Sequence, residues 1–311
     1  MNRRASIISF LACVITAGVS AADHASAHAT QTPKFPPAGP GTVDIIARDY
    51  AFEMPARIKS GWTTFRLFNA GMAPHFALIS RLPEGKATSD YRAEIVPAFS
   101  AAMKAVVEDK GDRARAYGIL GEMIPPWFGE VRQMGGPGFI EPGGLAITTA
   151  RLDPGNYVVE CYIKADDGRF HVELGMLNAL VVTDADSGAD EPLADARITL
   201  SNGKIEIAGV ISRGRQIVAV DFDEHPDVGL GNDVHLVRLE QDGDLDAAIR
   251  WVDWMNLDGL THDTPARFLG GTEEMPVGST AYLTIELEPG NYAWIAESGA
   301  AAGMVHRFKV E

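Results

Sequence analysis

A six-residue segment occurs twice in this chain, as Leu152-Asp-Pro-Gly-Asn-Tyr157 and again as Leu287-Glu-Pro-Gly-Asn-Tyr292. Two further pairs of segments keep the same order in both copies. Gly135-Gly136 and Gly270-Gly271 come before the hexapeptide, and Gly175-Met176-Leu177 and Gly303-Met304-Val305 come after it. A shared Pro-Gly turn would explain one match, but it does not explain an ordered series. A repeat of this length therefore predicts two similar domains rather than a solenoid of short units.

Short runs of β-branched and aromatic residues, separated by Gly, Pro and Asn, predict strands in both halves of the chain. Many short strands with Pro-Gly turns indicate an all-β fold of two tandem Greek-key β-sandwiches. The stretch from Tyr91 to Tyr117 differs, because its Ala, Glu, Lys and Met content and spaced apolar positions favour a helical insertion. Residues 244–258 look like a shorter copy of it, so each sandwich is expected to carry one.

The first residues have the pattern of an export signal. Arg3 and Arg4 precede an apolar run from Ile7 to Val19, and Val19-Ser20-Ala21 fits a cleavage site. The run is shorter than the ~20 residues that span a bilayer, so a removed signal is favoured over an uncleaved anchor. The predicted organisation is a signal peptide at 1–21, a flexible Pro-rich leader at 22–41, a first domain at 42–183, a linker at 184–195 and a second domain at 196–311.

Composition and charge limit the kinds of partner. Hydrophobic residues make up 46% of the chain and charged residues 22%, which predicts an ordinary folded core. The net charge of −15 becomes −17 once the two signal arginines, Arg3 and Arg4, are removed. This charge argues against nucleic acid and anionic membranes as partners. It is compatible with a basic redox partner and equally with simple solubility, and the export signal predicts a periplasmic or secreted protein.

The chain has two cysteines, and Cys13 lies in the predicted signal. An exported protein that keeps one unpaired thiol needs a reason, since an oxidising compartment tends to pair or oxidise it. Cys161 is followed by His171 and Met176, and His75 stands upstream. One Cys, two His and one Met make up the ligand set of a blue-copper centre. The alternative is that both histidines are satisfied polar residues and that Cys161 is a buried core thiol.

Three segments resemble the cupredoxin family of blue, type 1 copper proteins: Asn69-Ala-Gly-Met-Ala-Pro-His75, Gly155-Asn-Tyr-Val-Val-Glu-Cys161 and His171-Val-Glu-Leu-Gly-Met176. The resemblance implies two cupredoxin-like sandwiches and one mononuclear copper in the first domain, with His75, Cys161, His171 and Met176 as metal ligands. The long loop from Cys161 to His171 is most similar to that of copper nitrite reductases and other multidomain members. It lacks the family's usual Pro-Gly before the histidine, and the insertion between His75 and Cys161 is large.

The resemblance also argues against an enzyme. Nitrite reduction in this family needs a second copper held by further histidines, but the position two residues after His75 is Ala77, and the chain has no His-X-His motif. In the second domain Ala296 aligns with Cys161, which predicts a degenerate sandwich without copper. Val234-His235 loosely repeats Pro74-His75, so we interpret His235 and Met304 as relics of a lost ligand set, in a domain with a structural or docking role.

Three functions remain open from the sequence. The first is a periplasmic electron-transfer protein with one type 1 copper, working with a redox partner that the sequence does not name. The second is a copper-binding protein for storage, delivery or sensing without electron transfer. The third is a metal-free binding module. The sequence leaves the oligomeric state undecided.

Overall fold

A computed structural model describes residues 33–201, 203–227, 230–241 and 243–311. The predicted signal peptide, with Cys13, and the first part of the leader lie outside these residues. The described residues form sixteen strands, which are β1 Thr42–Arg48, β2 Ala51–Glu53, β3 Arg57–Asn69, β4 Leu78–Arg81, β5 Arg132–Gln133, β6 Leu145–Leu152, β7 Gly155–Glu160, β8 Leu177–Asp186, β9 Ala196–Ser201, β10 Lys204–Ala208, β11 Gly214–Phe222, β12 Val234–Leu239, β13 Arg267–Thr272, β14 Thr280–Leu287, β15 Gly290–Ile295 and β16 Val305–Val310.

Helices occupy the two predicted insertions. The first contains α1 Thr88–Asp90, a π-helical turn Tyr91–Ile95, α2 Val96–Glu108 and α3 Ala114–Met123, and the second contains α5 Asp244–Trp251. The remaining helical elements are α4 His171–Leu174 and the 3₁₀ turns Pro126–Glu130 and Ala300–Ala302. Within the described residues, no helix combines the length and the apolar character that crossing a membrane would require.

The first half of the fold is a two-layer sandwich. Strand β3 takes part in both layers, because its C-terminal part pairs with β1 and β6 while its first residues pair with β8. The other layer continues from β8 through β7 and β4 to β5. Alternate side chains of the two layers, such as Phe65 and Val159, are fully buried in a common core. This inward-facing alternation is the strand period of two that the sequence pattern predicts.

The second half repeats this arrangement, which confirms the predicted tandem sandwiches. One layer has the order β10-β9-β11-β14 and the other the order β13-β12-β15-β16. The repeated hexapeptide has the same role in both halves. The hydroxyl of Tyr157 donates to the carbonyl of Asp153 at 2.6 Å, and that of Tyr292 donates to the carbonyl of Glu288 at 2.8 Å. Each tyrosine thereby fixes the turn that leads into β7 or β15, the strands that end just before Cys161 and Ala296.

The strand register corrects the predicted origin of His235. In the first half Leu78 pairs with Glu160 and Arg81 with Tyr157. In the second half His235 pairs with Ile295 and Arg238 with Tyr292. Since Tyr157 and Tyr292 are equivalent, His235 occupies the place of Leu78. The interpretation of His235 as a relic of His75 was therefore wrong. The short sequence match behind it aligns both His75 with His235 and Arg81 with Arg238 only if three residues are skipped.

The two halves share a continuous core and form one compact unit over Pro33–Glu311. Strand β14 pairs with β6 through Tyr282 with Thr149 and Leu283 with Thr148. Phe139, which is fully buried, contacts rings from both halves. Its ring centroid lies 5.1 Å from Phe76, 4.1 Å from His235, 5.2 Å from Trp251 and 5.4 Å from Phe268.

Replacing Phe139 with Ala should therefore destabilise the whole unit. A buried Phe→Ala change removes apolar contacts and leaves a cavity, so we expect the free energy of unfolding to fall by about 3–5 kcal/mol. Urea unfolding followed by circular dichroism measures this. Val277→Ala, at a side chain that is 58% exposed, is the matched control and should change stability by less than about 0.5 kcal/mol. Equal effects from the two variants would contradict the shared core.

Candidate metal centre

His75 is held in a loop that Asn69 organises at the end of β3. The Asn69 side-chain amide donates to the carbonyls of Ala73 at 2.8 Å and Ile140 at 2.9 Å, and its oxygen accepts the Gly71 amide at 2.9 Å. The His75 backbone amide donates to the Ile140 carbonyl at 3.1 Å. His75 is fully buried. Hydrogen bonds within the protein therefore fix the position of His75 in its loop.

Cys161 directly follows β7 and is also fully buried. Burial is the main reason that the pKa of its thiol rises to about 12, although backbone amides of Ile163 and Phe76 donate to the sulfur and act in the opposite direction. A thiol in this environment is unreactive on its own at neutral pH. A metal ion that replaces the proton is the kind of partner that gives such a buried sulfur a chemical role.

His171 and Met176 flank the short helix α4. Gly175 ends this helix with φ 137°, and a Cβ atom there would lie 2.6 Å from the Tyr50 carbonyl oxygen, so glycine is required at this turn. The turn returns the chain to Cys161, whose amide donates to the Met176 carbonyl at 3.3 Å, while the Met176 amide donates to the His171 carbonyl at 3.0 Å. Met176 is fully buried in the same core cluster as Cys161.

The donor atoms of His75, Cys161 and His171 lie within 4.8 Å of one another. The Cys161 sulfur is 3.7 Å from Nδ1 of His75 and 3.9 Å from Nδ1 of His171. Metal–nitrogen and metal–sulfur bonds of about 2.0 and 2.3 Å that meet at 120° place nitrogen and sulfur about 3.7 Å apart. The observed distances thus leave the space that one metal ion in a trigonal plane occupies. With Met176 beside it, the cluster is consistent with one type 1 copper site.

Both imidazoles are kept in the neutral form that binds metals. Burial lowers the pKa of His75, and burial together with the neighbouring His75 lowers that of His171 to about 3. Nε2 of His75 contacts Oδ1 of Asp49 at 3.3 Å. The same carboxylate accepts the amides of Met72 at 2.9 Å and Ala73 at 3.2 Å. Burial raises the pKa of Asp49, but these hydrogen bonds outweigh it and bring the value down to about 2.

Tyr50 covers His171 on the side facing solvent. The two rings meet edge to face, with centroids 5.1 Å apart. Tyr50 is 42% exposed, and the nearby Met72 is 59% exposed. Sequence reasoning identified the four predicted ligands but missed both Asp49 and Tyr50. They lie in the turn between β1 and β2, and only the folded chain shows that this turn passes over the ligand loops.

The equivalent position in the second half has no thiol. The amide of Ala296 donates to the Met304 carbonyl at 3.3 Å, just as that of Cys161 donates to the Met176 carbonyl. Ala296 is thus the structural counterpart of Cys161, as the repeat predicts. Because a type 1 copper site requires the thiolate, the second half has no such site at this position.

No protein-family model matches the chain, and no curated protein matches it. Among solved structures, the chain is similar to auracyanin A, a "blue" copper protein from Chloroflexus aurantiacus, with 18% identity over 47% of this chain and 100% of that chain and a TM-score of 0.28. It is also similar to the copper-containing nitrite reductase of Thermus scotoductus SA-01, with 10% identity over 87% of this chain and 61% of that chain and a TM-score of 0.22. A multicopper oxidase covers 87% of this chain and 88% of its own, with 13% identity and a TM-score of 0.23.

Asp49→Asn should weaken metal binding without unfolding the loop. The carboxylate orients the His75 ring, and loss of such a partner typically lowers metal affinity about 10- to 100-fold. Competition titration of copper against a chelator measures the change. Glu53→Gln removes a nearby exposed carboxylate, which pairs with Arg48, and should leave the affinity unchanged. Wild-type affinity in Asp49→Asn would contradict the orienting role.

Proposed function

We propose that this protein is an electron carrier with one mononuclear type 1 copper, held by His75, Cys161, His171 and Met176. The observation that carries the proposal is the convergence of one thiol and two imidazoles at trigonal metal distances. Bound copper supplies a one-electron couple. The residues of the chain supply a fixed donor set that suits both oxidation states, because the thiolate favours Cu(I) and imidazole accepts either.

Burial of the ligands favours electron transfer over copper delivery. His75, Cys161 and Met176 have no exposed surface, and His171 is only 1% exposed. Delivery requires ligands of an acceptor protein to reach the metal, whereas an electron needs only a short route to the surface. Backbone hydrogen bonds fix each donor loop, so little rearrangement accompanies a change in oxidation state.

The route we propose for the electron runs from His171 through the Tyr50 ring to a surface patch formed by Tyr50 and Met72. Tyr50 is the partly exposed ring in direct contact with a predicted ligand. Exposed apolar side chains above a buried centre are suited to brief docking with a redox partner. The strongly acidic chain would favour a partner with basic residues around such a patch.

We place this activity in the periplasm or outside the cell. The support comes from the sequence, where Arg3, Arg4 and the apolar run before Ala21 have the form of an export signal. A single fully buried thiol at Cys161 is compatible with an oxidising compartment, because it is shielded from disulfide exchange.

Addition of one equivalent of Cu(II) to the purified protein should produce an intense visible band from thiolate-to-copper charge transfer. Cys161→Ser should abolish the band, because a hydroxyl group cannot replace the thiolate. His306→Gln, outside the cluster, is the control and should retain it. A copper-loaded protein without the band, or a band that survives in Cys161→Ser, would contradict the proposed centre.

Tyr50→Ala should slow electron self-exchange between copper-loaded molecules, because it removes the ring that couples His171 to the surface. The exchange rate is measured by line broadening in mixtures of oxidised and reduced protein. Tyr50→Phe keeps the ring and should behave like the wild type. An unchanged rate in Tyr50→Ala, with the visible band intact, would exclude this route.

A further inference from the structure

Four ionisable side chains of the second half meet in the interior of the fold, and none of them is a predicted copper ligand. Asp233, His235, Glu273 and Glu297 are at most 6% exposed, and one donor atom from each lies within 4.8 Å of the others. We refer to these four residues as the acidic group. Because His235 occupies the place of Leu78 and not that of His75, the acidic group is not a remnant of a copper site.

The group is built at one edge of a sheet. Asp233 and His235 lie at the start of β12, Glu273 directly follows β13, and Glu297 comes two residues after β15. Both neighbouring strands run antiparallel to β12, so their ends meet its start. All four side chains therefore come from strand ends that hydrogen bonding holds in register, which is a rigid frame for a site.

Two of the three carboxylates are anchored through one oxygen each. Oδ1 of Asp233 accepts the Glu297 amide at 2.6 Å, and Oε2 of Glu297 accepts the Tyr162 hydroxyl at 3.2 Å. By contrast, Oε1 of Glu297, Oε1 of Glu273 and Nε2 of His235 are buried without a hydrogen-bond partner. Native proteins rarely leave buried polar atoms unpaired, so three in one place indicate a missing ligand.

The charge of the acidic group also indicates a missing ligand, in this case a cation. Burial and mutual repulsion raise the pKa of Glu273 and of Glu297 well above the ordinary value. Among the ion pairs of the described residues, none brings a Lys or Arg to these carboxylates, and the nearest basic atom is Nε2 of His235, 3.6 Å from Oδ2 of Asp233. Buried carboxylates without a cationic partner are costly, and a metal cation relieves that cost.

A cavity of about 70 Å³ adjoins the group. Its polar wall includes Glu160, Asp233 and Glu273, and the rest is largely aromatic and aliphatic. One buried water molecule needs roughly 10–15 Å³ of such cavity volume, so there is room for a few waters or a small ligand beside a bound ion. Glu160 and Tyr162, which both face this region, flank Cys161 in the chain.

We propose that the acidic group binds one divalent cation of the Mn²⁺ class through the carboxylates of Asp233, Glu273 and Glu297. Nδ1 of His235 accepts the Phe139 amide at 3.4 Å, so its Nε2 carries the proton and faces the carboxylates as a hydrogen-bond donor rather than as a ligand. Three carboxylates form a hard oxygen donor set, which suits Mn²⁺ rather than the soft Cu(I) that a thiolate selects. The site is independent of the copper proposal, since it shares no ligand with it.

The test uses protein that carries one equivalent of copper, with Mn²⁺ as the probe. Loss of the free Mn²⁺ signal in electron paramagnetic resonance should give one bound ion per chain. Glu273→Gln should lower the affinity at least about tenfold. Glu274→Gln removes a neighbouring charge whose oxygen accepts the Gly231 amide, and it should leave the affinity nearly unchanged.

Weaker Mn²⁺ binding by Glu273→Gln can be distinguished from unfolding of the variant. Glutamine matches the shape of glutamate, and loss of one of several crowded carboxylates should leave the melting temperature of the metal-free protein equal or higher. Mn²⁺ should raise that temperature in the wild type but not in Glu273→Gln. Failure of Mn²⁺ to bind the folded protein, or binding that Glu273→Gln and Glu274→Gln weaken equally, would overturn the proposal.

Discussion

The antiparallel pairing of β7 with β4 and β8 is the constraint on which the first site depends. Glu160 pairs with Leu78 on one side and with Leu177 on the other. The next residue, Cys161, therefore emerges between the loop that carries His75 and the turn that carries Met176. No long-range adjustment is needed to bring the donors together, because the strand register already places their loops side by side. The same register keeps the sulfur buried.

The second half uses the same pairing with other residues. β15 pairs with β12 and β16 as β7 pairs with β4 and β8, and Ala296 stands where the thiol would be. Ionisable side chains lie at neighbouring positions on the same strand ends, where His235 replaces Leu78 and Glu297 lies next to Ala296. A duplicated frame thus offers two buried sites of different chemical hardness. The soft site contains a thiolate, and the hard site contains three carboxylates.

Much of the fold and of the first site could be predicted from sequence, because both depend on local signals. The repeated Leu-X-Pro-Gly-Asn-Tyr segment predicted the tandem sandwiches, and Cys161, His171 and Met176 lie close together in the chain. Asp49 and Tyr50 could not be found, since they reach the site only through the packing of a β-turn against distant loops. The acidic group was missed for a related reason. Its members are separated by up to 64 residues, and no spacing links them.

The proposed copper centre requires that one thiolate and two imidazoles of this chain hold a single copper ion. X-ray absorption at the copper edge of the singly loaded protein tests it most directly, because it reports the atoms bound to the metal. We expect one short copper–sulfur distance and two imidazole nitrogens, with the sulfur lost in Cys161→Ser. A first shell of nitrogen and oxygen alone in the wild-type protein would contradict it.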